Sequence, residues 1–250
     1  DECLACEHGL SLYIEADGKK ILFDTGASEN FAANAEKMGV DLKAVDFAAI
    51  SHGHYDHGGG LAKFIEINDH APIYISNKGF NQYYSGTDFN VSIPEGLEGN
   101  PRFVLTSEPI KLSENITLLN CNDREAKYFA DPYGLNKLVD GEFIPDDFLH
   151  EQYLIIEENG KRIVISGCSH KGILNIMEWL KPDILIGGFH FFRLTTEGED
   201  AATLDKSAAI LNEYGATYYT CHCTGTEQYE YLKAQMPKLN YIATGDVIEF

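Results

Sequence analysis

The run Ser51-His52-Gly53-His54-Tyr55-Asp56-His57-Gly58-Gly59-Gly60 places three imidazoles and one carboxylate within six residues, directly after the apolar stretch Phe47 to Ile50. If the chain is extended through residues 51–54, His52 and His54 point the same way, because side chains in an extended segment repeat with period 2. Both can then grip one ion, while Asp56 and His57, further along the turn, reach a second. Neutral imidazole suits zinc and iron, and a carboxylate adds the charge that keeps a divalent cation bound. The glycines that follow allow a tight turn and close backbone approach. A lone histidine is more often a surface or capped residue than a ligand; four potential donors at this spacing reverse that balance.

The 250 residues suffice for one large α/β domain, and no linker-like stretch divides them, so a single domain over 1–250 is expected. The formal charge of −20, from 19 basic and 39 acidic residues, argues against a nucleic-acid partner, which needs a basic surface. No apolar run approaches the roughly 20 residues that cross a bilayer, so no membrane partner is expected. No signal-peptide pattern is expected within these residues, the first of which, Asp1, is not a methionine. Six cysteines are too few for a disulfide scaffold of this length, and reduced thiols in a cytoplasm are the default expectation. Cys3-x-x-Cys6 has redox or metal spacing but no matching second pair.

Strand signals at 10–15 and 20–23 flank the hairpin turn Asp17-Gly18. Ser28-Glu29-Asn30 can cap a helix in which Phe31, Ala35 and Met38 share a face. A buried strand over 45–50 carries the histidine cluster at its C-terminal end; a helix over 61–67 and a strand over 72–75 follow. The middle, about 78–148, is rich in Gly, Asn, Asp, Pro and Tyr and reads as a loop-rich, substrate-shaping insertion with two or three strands, such as 103–106 and 116–120. Regularity returns with a hairpin (152–157 and 162–166), a helix over 173–180, a strand at 184–186, a helix carrying Leu204, Ala208 and Leu211, and a strand at 217–220. A helix from Glu227 and a strand over 241–250 close the chain. Each half reads as strands first and then strand-helix alternation, two similar halves rather than a doubly wound sheet. His170, His190 and His222 each sit just past an apolar strand, as His52 does, so they converge on one edge of a sheet, where α/β folds place their sites.

The pattern Leu22-Phe23-Asp24-Thr25-Gly26 followed by Ser51-His52-x-His54-x-Asp56-His57-x-Gly59-Gly60 resembles the metallo-β-lactamase superfamily. Glu7-His8-Gly9-Leu10-Ser11, Gly167-Cys168-Ser169-His170, Gly187-Gly188-Phe189-His190 and His222-Cys223-Thr224-Gly225 are similar to one branch of it, the metal-dependent hydrolases related to dihydropterin-ribofuranosylaminobenzene-phosphate synthases. The resemblance spans nearly the whole chain. It implies an α/β (α+β) fold, an αββα sandwich of two mixed sheets with the metals at one edge. It also implies one or two divalent ions, zinc foremost, with iron or manganese also suiting the donors. Carried over, His52 and His54 hold the first ion, Asp56 and His57 the second together with His222, and Asp24 orients the histidine loop.

One departure stands out. Hydrolases of this fold supply a further histidine and then a bridging aspartate in a Ser-Gly-Asp-like turn, whereas here the turn is Ser166-Gly167-Cys168. His170 is expected to replace the missing histidine, with His150 as the competing candidate. Cys168 stands near the bridge as a thiolate or is simply a small buried residue. His190 is expected in substrate contact or proton transfer, and His8 in a similar supporting place.

The leading expectation is a metal-dependent hydrolase that activates water against a small, phosphorylated or aromatic substrate, with Asp56 accepting the proton of the water and His190 protonating the leaving group. A synthase-like transferase that joins an aminobenzene-ribose phosphate to a pterin is the second reading. A di-iron redox protein is a third, against which the absence of a bridging carboxylate counts, and a metal-holding binding protein without chemistry is a fourth. No nucleophile elbow, zincin helix or phosphate-binding Gly-rich loop occurs.

Overall fold

The computed structural model describes residues 3–250. The first half opens with a hairpin of β1 (Leu12–Ala16) and β2 (Lys19–Phe23), then runs through α1 (Asn30–Lys37), β3 (Phe47–Ala49), α2 (Tyr55–Gly58), α3 (Leu61–Ile67) and β4 (Ile73–Ser76). The middle holds β5 (Tyr83–Ser85), β6 (Phe89–Asn90), β7 (Phe103–Thr106), β8 (Ile110–Lys111), β9 (Ile116–Leu119), β10 (Leu135–Val139) and β11 (Glu142–Pro145). The second half repeats the plan of the first: a hairpin of β12 (Tyr153–Glu158) and β13 (Lys161–Ile165), then α4 (Ile173–Leu180), β14 (Ile184–Ile186), α5 (Gly198–Glu213), β15 (Thr217–Thr220), α6 (Thr226–Lys233) and β16 (Leu239–Tyr241).

Two mixed sheets result. The five-stranded one has the order β1-β2-β3-β4-β7 and the seven-stranded one the order β16-β15-β14-β13-β12-β9-β8. In each, an antiparallel hairpin feeds a parallel run: β2, β3, β4 and β7 in the first, β13 to β16 in the second. The strands alternate their burial between two cores, as a period of 2 requires when both faces are covered. Ile21, Phe23 and Ala49 of one sheet meet Leu154, Ile156, Ile163 and Ile165 of the other in the inter-sheet core. Leu22, Ala48, Ile73 and Ile75 face outward onto Phe31 of α1 and Leu61 and Phe64 of α3. Tyr153, Ile155, Val164 and Leu185 face α4, α5 and α6 through Ile176, Leu204 and Leu232. The layering is therefore helix, sheet, sheet, helix, the expected αββα sandwich.

Three local expectations change. The middle segment holds more strands than its composition suggests: β7 completes the first sheet, β8 and β9 the edge of the second, and β5, β6, β10 and β11 form a separate antiparallel sheet ordered β11-β10-β5-β6. These strands are short, and periodicity is weak over two to five residues. The final strand ends at Tyr241 and the chain beyond runs in turns. The side chain of the N-cap residue of α1, Glu29, makes no capping bond. Ser28 Oγ accepts from Asn30 N (3.2 Å), and the carboxylate of Glu7 accepts from the backbone N–H groups of Ala27 (2.9 Å) and Ser28 (3.1 Å), so the entry to the helix is satisfied largely from outside its own sequence.

Candidate metal centre

Most site residues sit just past the end of a strand, while Asp56 and His57 lie in the single turn of α2. Asp24 follows β2, His52 follows β3, Cys168 and His170 follow β13, His190 follows β14 and His222 follows β15. The backbone at these corners is strained: Asp24, Ser169, His190 and His222 take φ of 61°, 60°, 55° and 49°, in the left-handed region that non-glycine residues avoid. Such conformations persist where surrounding structure holds them, and they cluster at functional sites. The two sheet edges also press together. At Gly167 an added Cβ would overlap Ser51 Oγ, so a glycine is needed where the loop after β13 meets the histidine loop.

The orientation of the histidine loop follows from Asp24. Its buried carboxylate accepts from Ser51 N (2.6 Å), from the Ser51 hydroxyl (2.7 Å) and from His57 Nδ1 (2.7 Å). A carboxylate only accepts, so the proton on His57 Nδ1 is fixed there, and Nε2 is the atom left for a cation. With its own proton spent on Asp24, Ser51 Oγ accepts from His52 Nδ1 (2.8 Å), which aims His52 Nε2 inward in the same way.

The inward-facing atoms crowd together. His52 Nε2 lies 3.2 Å from His170 Nε2, and His57 Nε2 lies 3.3 Å from His222 Nε2 and 3.1 Å from Cys168 Sγ. Asp56 Oδ2 is 3.1 Å from His222 Nε2 and 3.7 Å from His57 Nε2. The donor atoms of Asp56, His57, Cys168 and His222 all lie within 4.8 Å of one another, as do those of His52, Cys168 and His170, and of His52, His54 and Asp56. Cys168 belongs to two of these sets, in the place where a bridging aspartate was missing from the motif. His54 Nε2 and His170 Nδ1 are buried with no hydrogen-bond partner. Unpartnered buried nitrogens and lone pairs facing one another are costly unless a cation lies between them, so the residues fit a divalent metal centre.

The electrostatics agree. Burial and the neighbouring imidazoles hold His52 and His170 well below the usual histidine range, and burial with His150 brings His54 to about 3. They are neutral at pH 7, the form that binds metal. Asp56 is ionised: burial opposes its charge, but His57 and His222 outweigh that and push its pKa down. His57 moves upward, because Asp24 and Asp56 together overcome its burial. Burial and Cys223 push the Cys168 thiol up.

His150 and His170 differ in their hydrogen bonding, although His54, Asp146 and His150 also form a set whose donor atoms lie within 4.8 Å of one another. His150 Nδ1 accepts from Gly53 N (2.8 Å) and Nε2 donates to Asp146 Oδ2 (3.0 Å), so both ring nitrogens are committed to the protein. His150 supports the histidine loop from below. His170 is instead presented by Glu151, whose Oε1 accepts from His170 N (2.6 Å), and by Phe148, whose ring stacks on it at 4.6 Å and 9°. His190 packs beside His170 (4.3 Å) and is brought to about 3 by burial and by Arg193. The ring of His8 lies 4.4 Å from that of His222, with Nε2 3.5 Å from Asp56.

Glu151, Asp146 and Glu7 went unnoticed in the sequence. Glu151 stands next to a histidine in what reads only as a failed zincin pattern, and the bonds by which Glu151 reaches His170 and Glu7 reaches Ala27 span 19 and 20 residues, whereas Asp146 holds a histidine only four residues on. Of the donors, His54, Asp56, Cys168, His170 and His222 line an open cavity of about 240 Å³, whose walls include His190, Phe192, Arg193, Ser85 and Phe89; His52 and His57 are buried behind them.

Comparison with known proteins agrees with this geometry. Residues 5–204 match the metallo-beta-lactamase superfamily. A Methanocaldococcus jannaschii protein named 7,8-dihydropterin-6-methyl-4-(beta-D-ribofuranosyl)-aminobenzene-5'-phosphate synthase is 31% identical over 244 residues, covering 88% of this chain and 81% of that protein. An uncharacterised protein of the same archaeon is 29% identical over 228 residues, covering 88% and 84%. Among solved structures, a metal-dependent hydrolase of the beta-lactamase superfamily superposes with a TM-score of 0.82 at 28% identity, covering 100% of this chain and 94% of that one. With this match, this sandwich and this donor set, the chain belongs to the metallo-β-lactamase superfamily, whose members bind divalent metals.

Proposed function

We propose that the protein is a metal-dependent hydrolase of a small, phosphorylated or aromatic substrate. The observation that carries this reading is the pair of adjoining donor sets sharing Cys168 on the floor of an open cavity. His52, His54 and His170 would hold one divalent ion, and Asp56, His57 and His222 a second, with Cys168 between; zinc suits the sulfur and imidazole donors, iron or manganese less so. A divalent ion in such a place lowers the pKa of water towards neutrality and polarises a carbonyl or phosphoryl oxygen.

The residues of the chain do the rest. Asp24 and Ser51 lock the tautomers of His57 and His52. Asp56, ionised and reached by solvent from the cavity, accepts a hydrogen bond from the attacking water and orients it. His190 faces the same cavity but, with its pKa near 3, is neutral at pH 7. It serves as a hydrogen-bond donor to the departing oxygen more readily than as the source of a full proton, which revises its expected role as an acid. The segment 78–148 contributes Ser85, Phe89, Val91 and Leu135 to the walls, in keeping with a substrate-shaping part of one domain. Six cysteines in 250 residues, too few for a disulfide scaffold, suit a reducing cytoplasm. Among the described residues no helix is long and apolar enough to cross a membrane.

A synthase-like transferase is the second reading, favoured by the name of the 31% identical relative. Metal analysis and turnover of the zinc-, iron- and manganese-loaded protein, with ester, phosphodiester, lactam and thioester substrates and with the pterin and aminobenzene pair, tests both. Hydrolysis of a panel member is expected. Coupling of the pair without hydrolysis would replace the first reading by the second, and full metal retention by the His52→Ala/His54→Ala double variant would sink the ligand assignment.

A further inference from the structure

Arg193 is an exposed residue on the wall of the metal cavity, in the loop between β14 and α5. It is the one Lys or Arg side chain lining that cavity. Its guanidinium donates a single hydrogen bond, from Nη2 to Ser85 Oγ (3.3 Å), and lies 5.3 Å above the ring of Phe192; among the described residues it forms no ion pair. A guanidinium carries five N–H donors in a rigid fork suited to a carboxylate or a phosphate. Most of that fork is therefore unused on the protein side.

The backbone that presents it is held on both sides. Phe192 N donates to Cys223 O (3.1 Å), Leu194 N donates to Phe191 O (2.8 Å), and the side-chain amide of Gln228 donates to Leu194 O. The chain thus fixes the loop on either side of Arg193 but gives its charge no carboxylate. The opposite wall comes from the small sheet, where Ser85 ends β5 and pairs with Phe89 of β6. Phe89 is 58% exposed and Phe192 39% exposed, apolar rings that no core requires. Positive charge, a hydroxyl and two exposed rings stand at the rim, while the donor atoms lie on the floor.

We propose that Arg193, with Ser85, is an anion anchor that holds a phosphate or carboxylate group of the substrate at the rim of the cavity, while the rings of Phe89 and Phe192 cover its apolar part. This rests on the reading of the cavity as the substrate site and deepens it: the substrate carries an anionic group distinct from the one that reacts on the floor. In the free protein Ser85 holds the guanidinium; in the complex the anion takes up the remaining N–H donors, a charge-assisted pairing stronger than the neutral one.

The test is calorimetric titration of phenylphosphonate, and of benzoate as a second arm, into zinc-loaded and metal-free protein, for wild type, Arg193→Gln and Arg193→Lys. Equal zinc content and unchanged circular dichroism establish that the variants are folded. We expect Arg193→Gln to weaken one or both probes about tenfold or more, with the effect reduced at high salt, and Arg193→Lys to restore part of it. Loss for both probes identifies a general anion anchor, and loss for phenylphosphonate alone identifies a phosphate anchor. Unchanged affinity of both probes in Arg193→Gln, or no binding of either probe to the wild type, overturns the proposal. If zinc does not load, the hydrolase reading fails by itself, while the comparison in metal-free protein still decides the role of Arg193.

Discussion

At the scale of single residues, the site depends on which nitrogen of each histidine is already occupied. Asp24 and Ser51 occupy Nδ1 of His57 and His52, whereas Gly53 and Asp146 occupy both nitrogens of His150. His150→Ala is therefore expected to keep its full metal content and to lose about 1–3 kcal/mol of stability, through the buried partners it strands. His170→Ala is expected to lose metal with the fold retained. Metal analysis beside urea denaturation of the two variants checks this; metal loss in His150→Ala alone would invert the assignment. Sequence spacing placed His52, His54, Asp56 and His57 together without help, because they lie within one turn of chain. It left His150 and His170 undecided, since spacing does not say which ring nitrogens the fold engages: Asp146, four residues away, and Gly53, 97 residues away, hold the ring of His150, and Glu151 holds the backbone of His170 from 19 residues away.

At the scale of elements, α2 is a single turn wedged against the loop after β2. Its C-cap, Gly59, has ordinary helical φ and ψ, yet an added Cβ would overlap the Ala27 carbonyl and lie 2.6 Å from Tyr55 O. Because the neighbours are backbone, they cannot swing aside. Gly59→Ala is expected to cost about 1–3 kcal/mol, the usual range for overpacking, and to loosen Asp56 and His57, which belong to the same turn. Chemical denaturation and zinc affinity, measured together, check this; wild-type values for both would show that the loop yields more easily than its packing implies. The helices at 61–67 and 173–180 were legible through sustained apolar periodicity, and the short strands at 184–186 and 217–220 because their apolar or aromatic residues lie between helical patterns and turn residues. The small sheet of β5, β6, β10 and β11 was not, since its strands are too short to show a period and their partners are remote in sequence, as when Leu135 pairs with Ser85.

At the scale of the whole molecule, closing two sheet edges around seven neutral or ionised donors makes the metal-free protein sensitive to acid. His54 and His190 have folded pKa values of about 3, and His52, His170 and His222 also lie below the ordinary 6.5, chiefly through burial. Between about 3 and 6.5 the unfolded chain binds more protons at these positions than the folded one, so stability rises with pH across that window and falls as acid is added. Asp56 and Asp146, whose pKa values are lowered, add a loss of the same sign in acid, once pH falls below the ordinary carboxylate range. His57 works the other way, its raised pKa favouring the folded state in acid, but it stands alone against the rest. The melting temperature of chelator-treated protein is thus expected to fall steadily from pH 7 to pH 4; a flat or rising profile would contradict the neutral-histidine description of the site. What the sequence by itself determined is two similar halves, strands first and then strand-helix alternation, with the histidine cluster at a strand end, because apolar period and ligand spacing are local properties; the layered sandwich was implied by the family resemblance. Tertiary structure alone brings Cys168 into two donor sets, commits both ring nitrogens of His150 to Gly53 and Asp146, and places Arg193 on the cavity with no ion pair among the described residues. Each of those depends on contacts between segments brought together only when the two sheet edges close, and no local pattern encodes which lone pairs are then left unspent.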